Sequence, residues 1–406
     1  MLDENVYLKK LIARKQEKVN SYIELTKAIN NNFSRAALYK LLEFTLERNF
    51  QIQKMALFVN EGEWKLEINK GNEEIANKID VKEDSIKFHV IQDIKRYKGS
   101  HFEGFDYLIP VVHKKSPLAY LLISEMKLEE LDSIDENLKY IESICSFILT
   151  SIENKRLFKE QLEKNRISKE VELASQVQNM LIPSVLPKDE NIEAAAFYKP
   201  HGSIGGDYYD LISIDDNTVV FCMCDVSGKG IAAGMIMANF QAQLRAMVVK
   251  YDSLEQIVDY LNFKLFEITQ GDKFITMFLG RYDYETRNLE YVTAGHNISY
   301  LIQNDEIIEL KKGSTLLGAF DNLPKIEVGR EQIDENGVLF TYTDGLTEQE
   351  NELKQMYGEE NLVKFLLNND KTDMQELVEN LQIEISKYKG ELPYGDDVSV
   401  LAMKFL

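Results

Sequence analysis

The stretch FCMCDVSGKG, Phe221 to Gly230, places an acid at the end of an apolar run and follows it with a glycine-rich turn. The apolar residues at its start are typical of a buried strand. Gly228 and Gly230 permit a tight turn into the helical pattern that follows. The stretch therefore predicts a strand that presents Asp225 at the point where a helix begins.

Three more aspartates share this setting, each beside glycine or a second acid at the edge of an apolar run. A single acid at a strand end is often a turn former, which is the better interpretation of Asp215, Asp216 and Asp283. Four in one region point to divalent cations such as Mg²⁺ or Mn²⁺, because these prefer carboxylate ligands and uncompensated acids repel each other. The four are Asp207 in GGDYYD, Asp225, Asp344 in LFTYTDGLTE and Asp396 in YGDDVSVLAM. We therefore predict a two-metal carboxylate site.

Residues 186–406 are predicted to form an α+β domain around that site. Short apolar runs separated by turns indicate strands, from Ile192–Tyr198 to Val398–Lys404. Helical periodicity appears at residues 231–250, 254–268, 361–367 and 374–386. Pro183 and Pro187 mark the start of this domain after a long helical stretch.

Residues 1–130 indicate a second α+β domain. Two helices between residues 17 and 48 precede short strands, and the last two strands, YLIPVV at 107–112 and PLAYLLIS at 117–124, are joined by a polar hairpin. This pattern resembles a GAF domain, which implies a GAF-like sensor for a small-molecule or protein signal. The single Trp64 and the aromatic residues around it are interpreted as core packing rather than as the lining of a ligand pocket.

Residues 131–185 are predicted to be a helical linker, since no glycine or proline interrupts residues 132–181. Apolar residues repeat at spacings of 4, 3, 4, 3 and 4, which is a heptad seam, and a second stripe runs from Val171 to Leu181. The helix either packs on its own domain or forms a parallel coiled coil that makes a homodimer. We favour the coiled coil because so long a helix needs a partner. The seam residues are Ile134, Leu138, Ile141, Cys145, Ile148 and Ile152.

Six ordered motifs between Ile167 and Leu406 resemble the SpoIIE/RsbU-type serine phosphatases of the PPM, or protein phosphatase 2C-like, superfamily. They are QVQNMLIP at 176–183, GGDYYD, DVSGKG, TAGHN at 293–297, TDGLTE and GDDVSV. The resemblance implies a PPM-type αββα sandwich, with two opposed antiparallel sheets, flanking helices and a metal pair at one edge. The predicted order is thus a GAF-like sensor, a coiled-coil linker and a phosphatase domain.

Carried over position by position, the resemblance gives each aspartate a catalytic role through bound metal and water. Asp207 would bind the first of two Mn²⁺ or Mg²⁺ ions, Asp225 would bridge both, and the backbone carbonyl of Val226 would complete the first site. Asp344 and Asp396 would hold the second ion. A water activated by the two ions would attack phosphorus, so that no cysteine or serine nucleophile is required.

Other residues of these motifs leave alternatives open. In the GDD step the motif favours Asp396 as ligand, and Asp397 is the less favoured substitute. Eukaryotic relatives hold the phosphate with an arginine, and none lies in these motifs. Lys229 is the nearest candidate for that role, with a solvated lysine of the first helical turn as an equal alternative. His296 and Asn297 are interpreted as structural hydrogen-bonding residues.

The resemblance also implies a substrate and a switch. The substrate would be phosphoserine or phosphothreonine on a STAS-domain protein, the anti-sigma-factor antagonist of a partner-switching system. The switch would be the helical segment Glu172–Leu181, through which the sensor domain would control the metal site.

Two other functions fit parts of the sequence. GGDYYD resembles the GGDEF signature of diguanylate cyclases, but Tyr208 stands where that signature has an acid, and the other three aspartates would have no role. The stronger alternative is a degenerate phosphatase that acts as a binding module in a signalling complex. Intact acids at all four metal positions favour the enzyme.

Composition restricts the partners of the chain. Its 406 residues include 47 Lys and Arg against 67 Asp and Glu, so the formal net charge of −20 disfavours nucleic acid and anionic membranes. Three cysteines cannot build a disulfide framework. No run approaches the roughly 20 apolar residues of a membrane span. We expect a cytoplasmic protein.

Overall fold

The computed structural model describes residues 2–84, 88–95, 102–113, 116–127, 133–304, 306–369 and 372–406. The chain divides into two compact units, Met1–Lys164 and Asn165–Leu406. The predicted boundary between residues 130 and 131 lies outside the described residues. The predicted boundary between residues 185 and 186 falls inside the second unit.

The first unit combines helices with one antiparallel sheet. Its helices are α1 (Leu2–Asn30), α2 (Arg35–Phe50), α3 (Glu73–Ala76), α4 (Val81–Asp84) and the first part of α5 (Ile134–Asn179). Its strands are β1 (Lys54–Asn60), β2 (Trp64–Lys70), β3 (Gln92–Asp93), β4 (Tyr107–His113) and β5 (Ser116–Ser124). The strands pair in the order β2-β1-β5-β4-β3, which gives the predicted α+β domain of a helix pair followed by a mainly antiparallel sheet.

Side chains alternate between the two faces of this sheet, and both faces are covered. Leu57 of β1 packs into a core shared with α1, α2 and α5. Its neighbour Phe58 points the other way, into a cluster with α3, α4 and several aromatic residues. In that cluster the rings of Trp64 and Tyr120 lie 5.2 Å apart, and Tyr120 is fully buried. The aromatic residues around Trp64 therefore pack a core.

The heptad seam of α5 is buried within its own unit. Leu138, Ile141, Cys145 and Ile148 pack with α1, α2 and the sheet, and the last three are fully buried. The prediction that this seam joins two protomers in a coiled coil is wrong at these positions, because the seam already packs in the core of one chain. The other interpretation, a helix packed on its own domain, holds for them.

The second unit contains the end of α5 and two sheets with flanking helices. Its further helices are α6 (Ile231–Lys250), α7 (Leu254–Thr269), α8 (Asp344–Thr347), α9 (Gly358–Asn369) and α10 (Met374–Lys389). Its strands are β6 (Ile192–Lys199), β7 (Tyr208–Ser213), β8 (Thr218–Val226), β9 (Ile275–Asp283), β10 (Asn288–Ala294), β11 (Ser299–Gln303), β12 (Glu306–Leu310), β13 (Gly313–Ser314), β14 (Gly329–Gln332), β15 (Gly337–Tyr342) and β16 (Val398–Phe405).

The two sheets pack face to face. One runs β13-β10-β9-β8-β7, with β14 also paired to β10, and the other runs β12-β11-β15-β16-β6. Their facing sides share one core, in which the rings of Tyr282 and Phe405 lie 4.3 Å apart. Helices α6 and α7 cover the first sheet, and α9 and α10 cover the second. This order of layers is the predicted sandwich.

Two helices of this unit, α7 and α10, begin at side chains that cap them. The Ser253 hydroxyl accepts a hydrogen bond from the Gln256 amide at 3.4 Å before α7, and the Asp373 carboxylate accepts one from the Gln375 amide at 2.9 Å before α10. Buried apolar residues on α7 and α10 face the sheets. In the ranges that the structure describes, no helix combines the length and apolarity needed to cross a membrane.

Candidate metal centre

The four predicted aspartates lie at the ends of two pairs of neighbouring strands. β7 begins one residue after Asp207, and its antiparallel neighbour β8 contains Asp225 as its second-last residue. In the other sheet, β15 ends two residues before Asp344, and its antiparallel neighbour β16 begins two residues after Asp396. Because antiparallel neighbours run in opposite directions, the start of one strand lies beside the end of the next. Each sheet therefore presents two of the aspartates at one edge.

Hydrogen bonds to Asp207 join these two edges. Its Oδ2 accepts the hydroxyl protons of Thr343, which directly follows β15, at 2.8 Å and of Ser399 in β16 at 2.6 Å. The side chain is 1% exposed, and its Oδ1 has no hydrogen-bond partner among the described residues. Burial raises the pKa of Asp207 well above its usual value, and the nearby Asp225 raises it further. A buried oxygen without a partner is suited to a cation.

The other acids crowd the same place. Burial raises the pKa of Asp225 to about 7, with further contributions from Asp344 and Asp396. The pKa of Asp344 is also raised, by burial first and then by Glu348 and Asp396, while Lys229 opposes the rise. Such mutual repulsion is the pattern expected where carboxylates share a site for cations. The structure thus brings the four aspartates together, and it adds Glu348, which the sequence analysis did not select.

Asp396 and Asp397 have different environments. Asp397 is 6% exposed, and both of its oxygens accept backbone protons, Oδ1 from His201 at 2.7 Å and Oδ2 from Gly206 at 2.6 Å. Asp396 has a side chain 42% exposed, and its Oδ2 lies 2.9 Å from the Lys229 ammonium. These contacts favour Asp396 as the ligand, because Asp397 is occupied in holding the loop that precedes Asp207.

The paired glycines before Asp207 are required by close packing. A Cβ on Gly206 would lie 2.8 Å from the carbonyl oxygen of Val226, the atom predicted to complete the first metal site. A Cβ on Gly205 would lie 2.6 Å from Asp397 Oδ2. A side chain at Gly206 would displace the Val226 carbonyl, and one at Gly205 would displace the Asp397 carboxylate that holds this loop. Glycine at both positions therefore leaves the Val226 carbonyl in place.

Gln178, at the end of α5, is a contact that the sequence analysis missed. Its Nε2 donates to the Gly205 carbonyl at 2.6 Å, and its Oε1 accepts the Gly205 amide proton at 3.3 Å. Gln178 is 6% exposed, whereas Val177 and Met180, which the predicted apolar stripe includes, are 60% and 80% exposed. Gln178, rather than Val177 or Met180, therefore contacts the loop before Asp207.

The groups around the four aspartates show how far this edge suits metal ions. In the part of the chain that the structure describes, no group of three or more His, Cys, Asp or Glu side chains is arranged to hold a metal ion as it stands. Asp396 is instead paired with Lys229, whose ammonium lies 2.9 Å from it and donates to the Gly395 carbonyl at 2.9 Å. Asp207 Oδ1, which has no partner among the described residues, and the Val226 carbonyl, which a side chain at position 206 would crowd, fit a first ion. A second ion at Asp344 and Asp396 requires Asp396 to exchange Lys229 for the metal.

His296 is a buried structural residue. It is 8% exposed, and its Nδ1 shares a hydrogen bond of 2.9 Å with the Thr276 hydroxyl. Burial lowers its pKa to about 4, so that the ring is neutral at physiological pH. Thr276 is the cross-strand partner of Asp225. His296 thus supports the strand behind Asp225, in keeping with its interpretation as a structural hydrogen-bonding residue.

An ion pair between the half-exposed Arg245 and the buried Asp210 fixes α6 to β7. The Arg245 guanidinium holds the fully buried Asp210 carboxylate with two hydrogen bonds, of 2.7 and 2.9 Å, and the Tyr208 hydroxyl also donates to that carboxylate. The hydrogen bond to Asp210 raises the pKa of Arg245 above its usual value. Since α6 follows the DVSGKG turn and β7 follows Asp207, the pair connects the segments that carry Asp225 and Asp207.

Replacing Arg245 with methionine is expected to lower the free energy of unfolding by about 2–4 kcal/mol, because it leaves the buried Asp210 carboxylate without a positive charge beside it. The loss is smaller than for a fully enclosed pair, since the Arg245 side chain is 48% exposed. Urea unfolding checks the value. Arg330→Met, which breaks an exposed pair with Glu290, is the control and should change stability by less than ~0.5 kcal/mol. Equal effects of the two variants would contradict this account.

Comparison with known proteins finds relatives of the C-terminal region. Residues 215–406 match the family model of SpoIIE, stage II sporulation protein E. Protein IcfG of Synechocystis sp. is 26% identical over 288 residues, which are 64% of this chain and 45% of that protein. Phosphoserine phosphatase RsbU of Bacillus subtilis is 23% identical over 243 residues, 59% of this chain and 71% of that protein. The chain thus spans about half the length of the first of these relatives.

A solved structure shows the same fold. The SiaA-PP2C domain of Pseudomonas aeruginosa superimposes with a TM-score of 0.54 at 18% identity, covering 60% of this chain and 99% of that one. At this identity the likeness concerns the fold alone. Together with the family match, it shows that the C-terminal region of the chain has a PP2C-type fold. The match to the SpoIIE family model covers residues 215–406.

Proposed function

We propose that the protein is a metal-dependent phosphatase that hydrolyses phosphoserine or phosphothreonine on a protein substrate. The observation that carries the proposal is the convergence of four aspartates from two sheets at one edge, with Asp207 Oδ1 buried and unpartnered in the described structure. The SpoIIE family match and the relative named phosphoserine phosphatase support the reaction.

The aspartates and one backbone carbonyl would bind two cations, Mn²⁺ or Mg²⁺. Asp207, the Val226 carbonyl and Asp225 would hold the first, and Asp225, Asp344 and Asp396 would hold the second. Ions held there would supply an activated water and neutralise the phosphoryl oxygens. The chain itself contributes orientation: Thr343 and Ser399 fix Asp207 through hydrogen bonds, as described above.

For the substrate we propose phosphoserine on a STAS-type anti-sigma-factor antagonist. The support is the resemblance of the six motifs to partner-switching phosphatases and the similarity to RsbU. The excess of acidic residues over basic ones would disfavour strongly acidic target segments. Incubation with such a phosphoprotein, followed by mass spectrometry of the substrate, tests the assignment directly.

We further propose that the N-terminal unit is a GAF-like sensor that regulates the phosphatase through α5. The support is that α5 ends one residue after Gln178, whose amide holds the loop before Asp207. A signal that turns or shifts this helix end would change how that loop presents its carboxylate. A homodimer, if formed, would use the exposed apolar residues in the second half of α5, such as Phe158, Leu162 and Leu173, which are 54–65% exposed.

Hydrolysis of p-nitrophenyl phosphate by the full chain tests the enzyme function. We expect turnover that requires Mn²⁺ or Mg²⁺, stops with EDTA and falls at least ~10³-fold in Asp344→Asn, because one ion loses a ligand. Asp216→Asn, at an exposed turn between β7 and β8, should keep full activity. Metal binding without turnover would instead support the degenerate phosphatase that acts as a binding module.

A further inference from the structure

Lys273 lies in the loop between α7 and β9, two residues before β9 begins. A Cβ built on Gly228 would lie 3.1 Å from its Nζ. The ammonium group therefore lies against the glycine-rich turn of DVSGKG, three residues after Asp225 in the chain. The sequence analysis did not select Lys273, because it is about 50 residues away from that motif.

Within the described ranges the ammonium of Lys273 makes no hydrogen bond or ion pair, although the residue is partly buried. Lys229, the candidate for phosphate binding named from the sequence, is in contrast committed to Asp396 and the Gly395 carbonyl. The chain has 67 acidic residues, yet in the described structure this partly buried cation beside the metal centre has no acidic partner. Such a cation is suited to bind an anion that comes from outside.

The position of Lys273 relative to Asp225 is rigid. The Ser227 amide donates to the Phe274 carbonyl, and the Phe274 amide donates to the Ser227 hydroxyl, both at 2.9 Å. β9 then pairs directly with β8, opposing Thr276 to Asp225. The Lys273 carbonyl also accepts the Thr269 hydroxyl proton at 3.1 Å. The backbone at Lys273 is thus held on the strand pair that presents Asp225.

The surroundings of the turn leave room for an anion. Gly228 and Gly230 have φ of 95° and 75°, which side chains disfavour, and nothing lies within 4 Å of a Cβ on Gly230. Gly230 begins the 20-residue helix α6 without a side-chain cap, so the first amides of that helix are not satisfied by its N-cap residue. Such amides favour negative charge in the same region as the ammonium.

We propose that Lys273 is the phosphate-binding cation of the active site, and that it takes the place of the arginine that eukaryotic relatives use. This inference rests on the proposed phosphatase function. The ammonium would donate to the phosphoryl oxygens of the substrate and, after hydrolysis, to inorganic phosphate. Lys229 would instead release Asp396 when the second metal ion binds.

Inorganic phosphate is the probe for the test, measured on the Mn²⁺-loaded full chain. We expect Lys273→Met to raise the inhibition constant of phosphate, and the KM for a phosphoserine peptide, by roughly 10- to 100-fold, because a charge-assisted hydrogen bond is lost. Lys273→Arg should restore most of the binding. Mn²⁺ affinity from calorimetry should stay within about twofold of wild type, since the metal ligands are untouched. Lys364→Met, on an exposed face of α9, is the matched control.

The outcomes separate this inference from the proposed function. An active wild type whose phosphate inhibition and KM are unchanged in Lys273→Met would overturn the role of Lys273 alone. A variant that loses phosphate and Mn²⁺ affinity together would overturn it too, because a distorted centre explains that result. If the wild type shows no turnover, the proposed function fails. Calorimetric phosphate binding to the Mn²⁺-loaded wild type and to Lys273→Met then still decides whether Lys273 binds the anion.

Discussion

Asp225→Asn is expected to abolish metal-dependent hydrolysis, with a loss of at least ~10³-fold, and yet to make the metal-free protein more stable. The first effect follows because Asp225 is the only predicted ligand shared by both ions. The second follows because burial and the neighbouring acids hold its pKa at about 7. An ionised Asp225 above that pH is therefore an unfavourable buried charge, which asparagine removes at nearly constant volume.

The pH dependence fixes the sign of the stability effect. The folded pKa of Asp225 is raised above the ordinary value of 3.8, so the folded state binds more protons than the unfolded state between about pH 4 and pH 7. The stability of the metal-free wild type therefore falls as pH rises through that window. At pH 8 we expect Asp225→Asn to gain roughly 2–4 kcal/mol over wild type, and at pH 4 the gain should vanish.

Thermal unfolding in EDTA at pH 4, 6 and 8 measures this difference, and the same series with Mn²⁺ gives the opposite order. Metal binding to the folded state stabilises the wild type, while Asp225→Asn should respond little. Asp216→Asn serves as the exposed control in both series. A variant that is less stable than wild type in EDTA at pH 8 would show that the acids at this edge do not repel one another as described.

Gln178→Ala is expected to lower the turnover rate by roughly 10- to 100-fold without removing any metal ligand. The variant leaves the amide and the carbonyl of Gly205 without their partner in a buried place, which costs about 1–3 kcal/mol locally. The loop before Asp207 is then free to shift, and the carboxylate loses its alignment with Asp225. Affinity for Mn²⁺ should fall together with the turnover rate.

Two further variants sharpen this experiment. Gln176→Ala removes an exposed amide one half-turn away on the same helix and should keep wild-type activity. Gln178→Glu keeps the size of the side chain but cannot donate to the Gly205 carbonyl, so it should resemble the alanine variant. If Gln178→Glu is fully active, the space that the side chain fills matters and its donated hydrogen bond does not.

The acids of the centre could be found from sequence because each sits in a short local pattern. An aspartate at the end of an apolar strand and next to glycine can be recognised from the local sequence. The sequence therefore predicts a shared site without knowledge of the fold, and its residues are Asp207, Asp225, Asp344 and Asp396. The strands and helices of the second unit follow from its apolar patterns, whereas their arrangement as a sandwich was implied by the resemblance of the six motifs to PPM-type phosphatases. The choice between Asp396 and Asp397 is clarified only by the backbone amides of His201 and Gly206, which come from a distant segment.

Contacts between distant segments could not be read in this way. Gln178 and Lys273 are ordinary polar residues in helix and loop, and their importance depends on which backbone lies opposite them. The heptad seam of α5 shows the converse error. Spacing shows that one stripe of a helix is apolar, but a sheet and a second helix satisfy that stripe equally well. In this chain the sheet and the first two helices cover Ile141 and Ile148.

The hydrogen bonds that Asp397 accepts from His201 and Gly206 have a consequence for folding during synthesis. Its bonds to His201 and Gly206 span 196 and 191 residues of sequence, and the strand that follows it, β16, lies between β15 and β6. Contacts of such long range form late, since they require most of the chain to be present. During synthesis on the ribosome, the nascent protein would therefore remain without phosphatase activity until β16 has emerged and inserted between its neighbours.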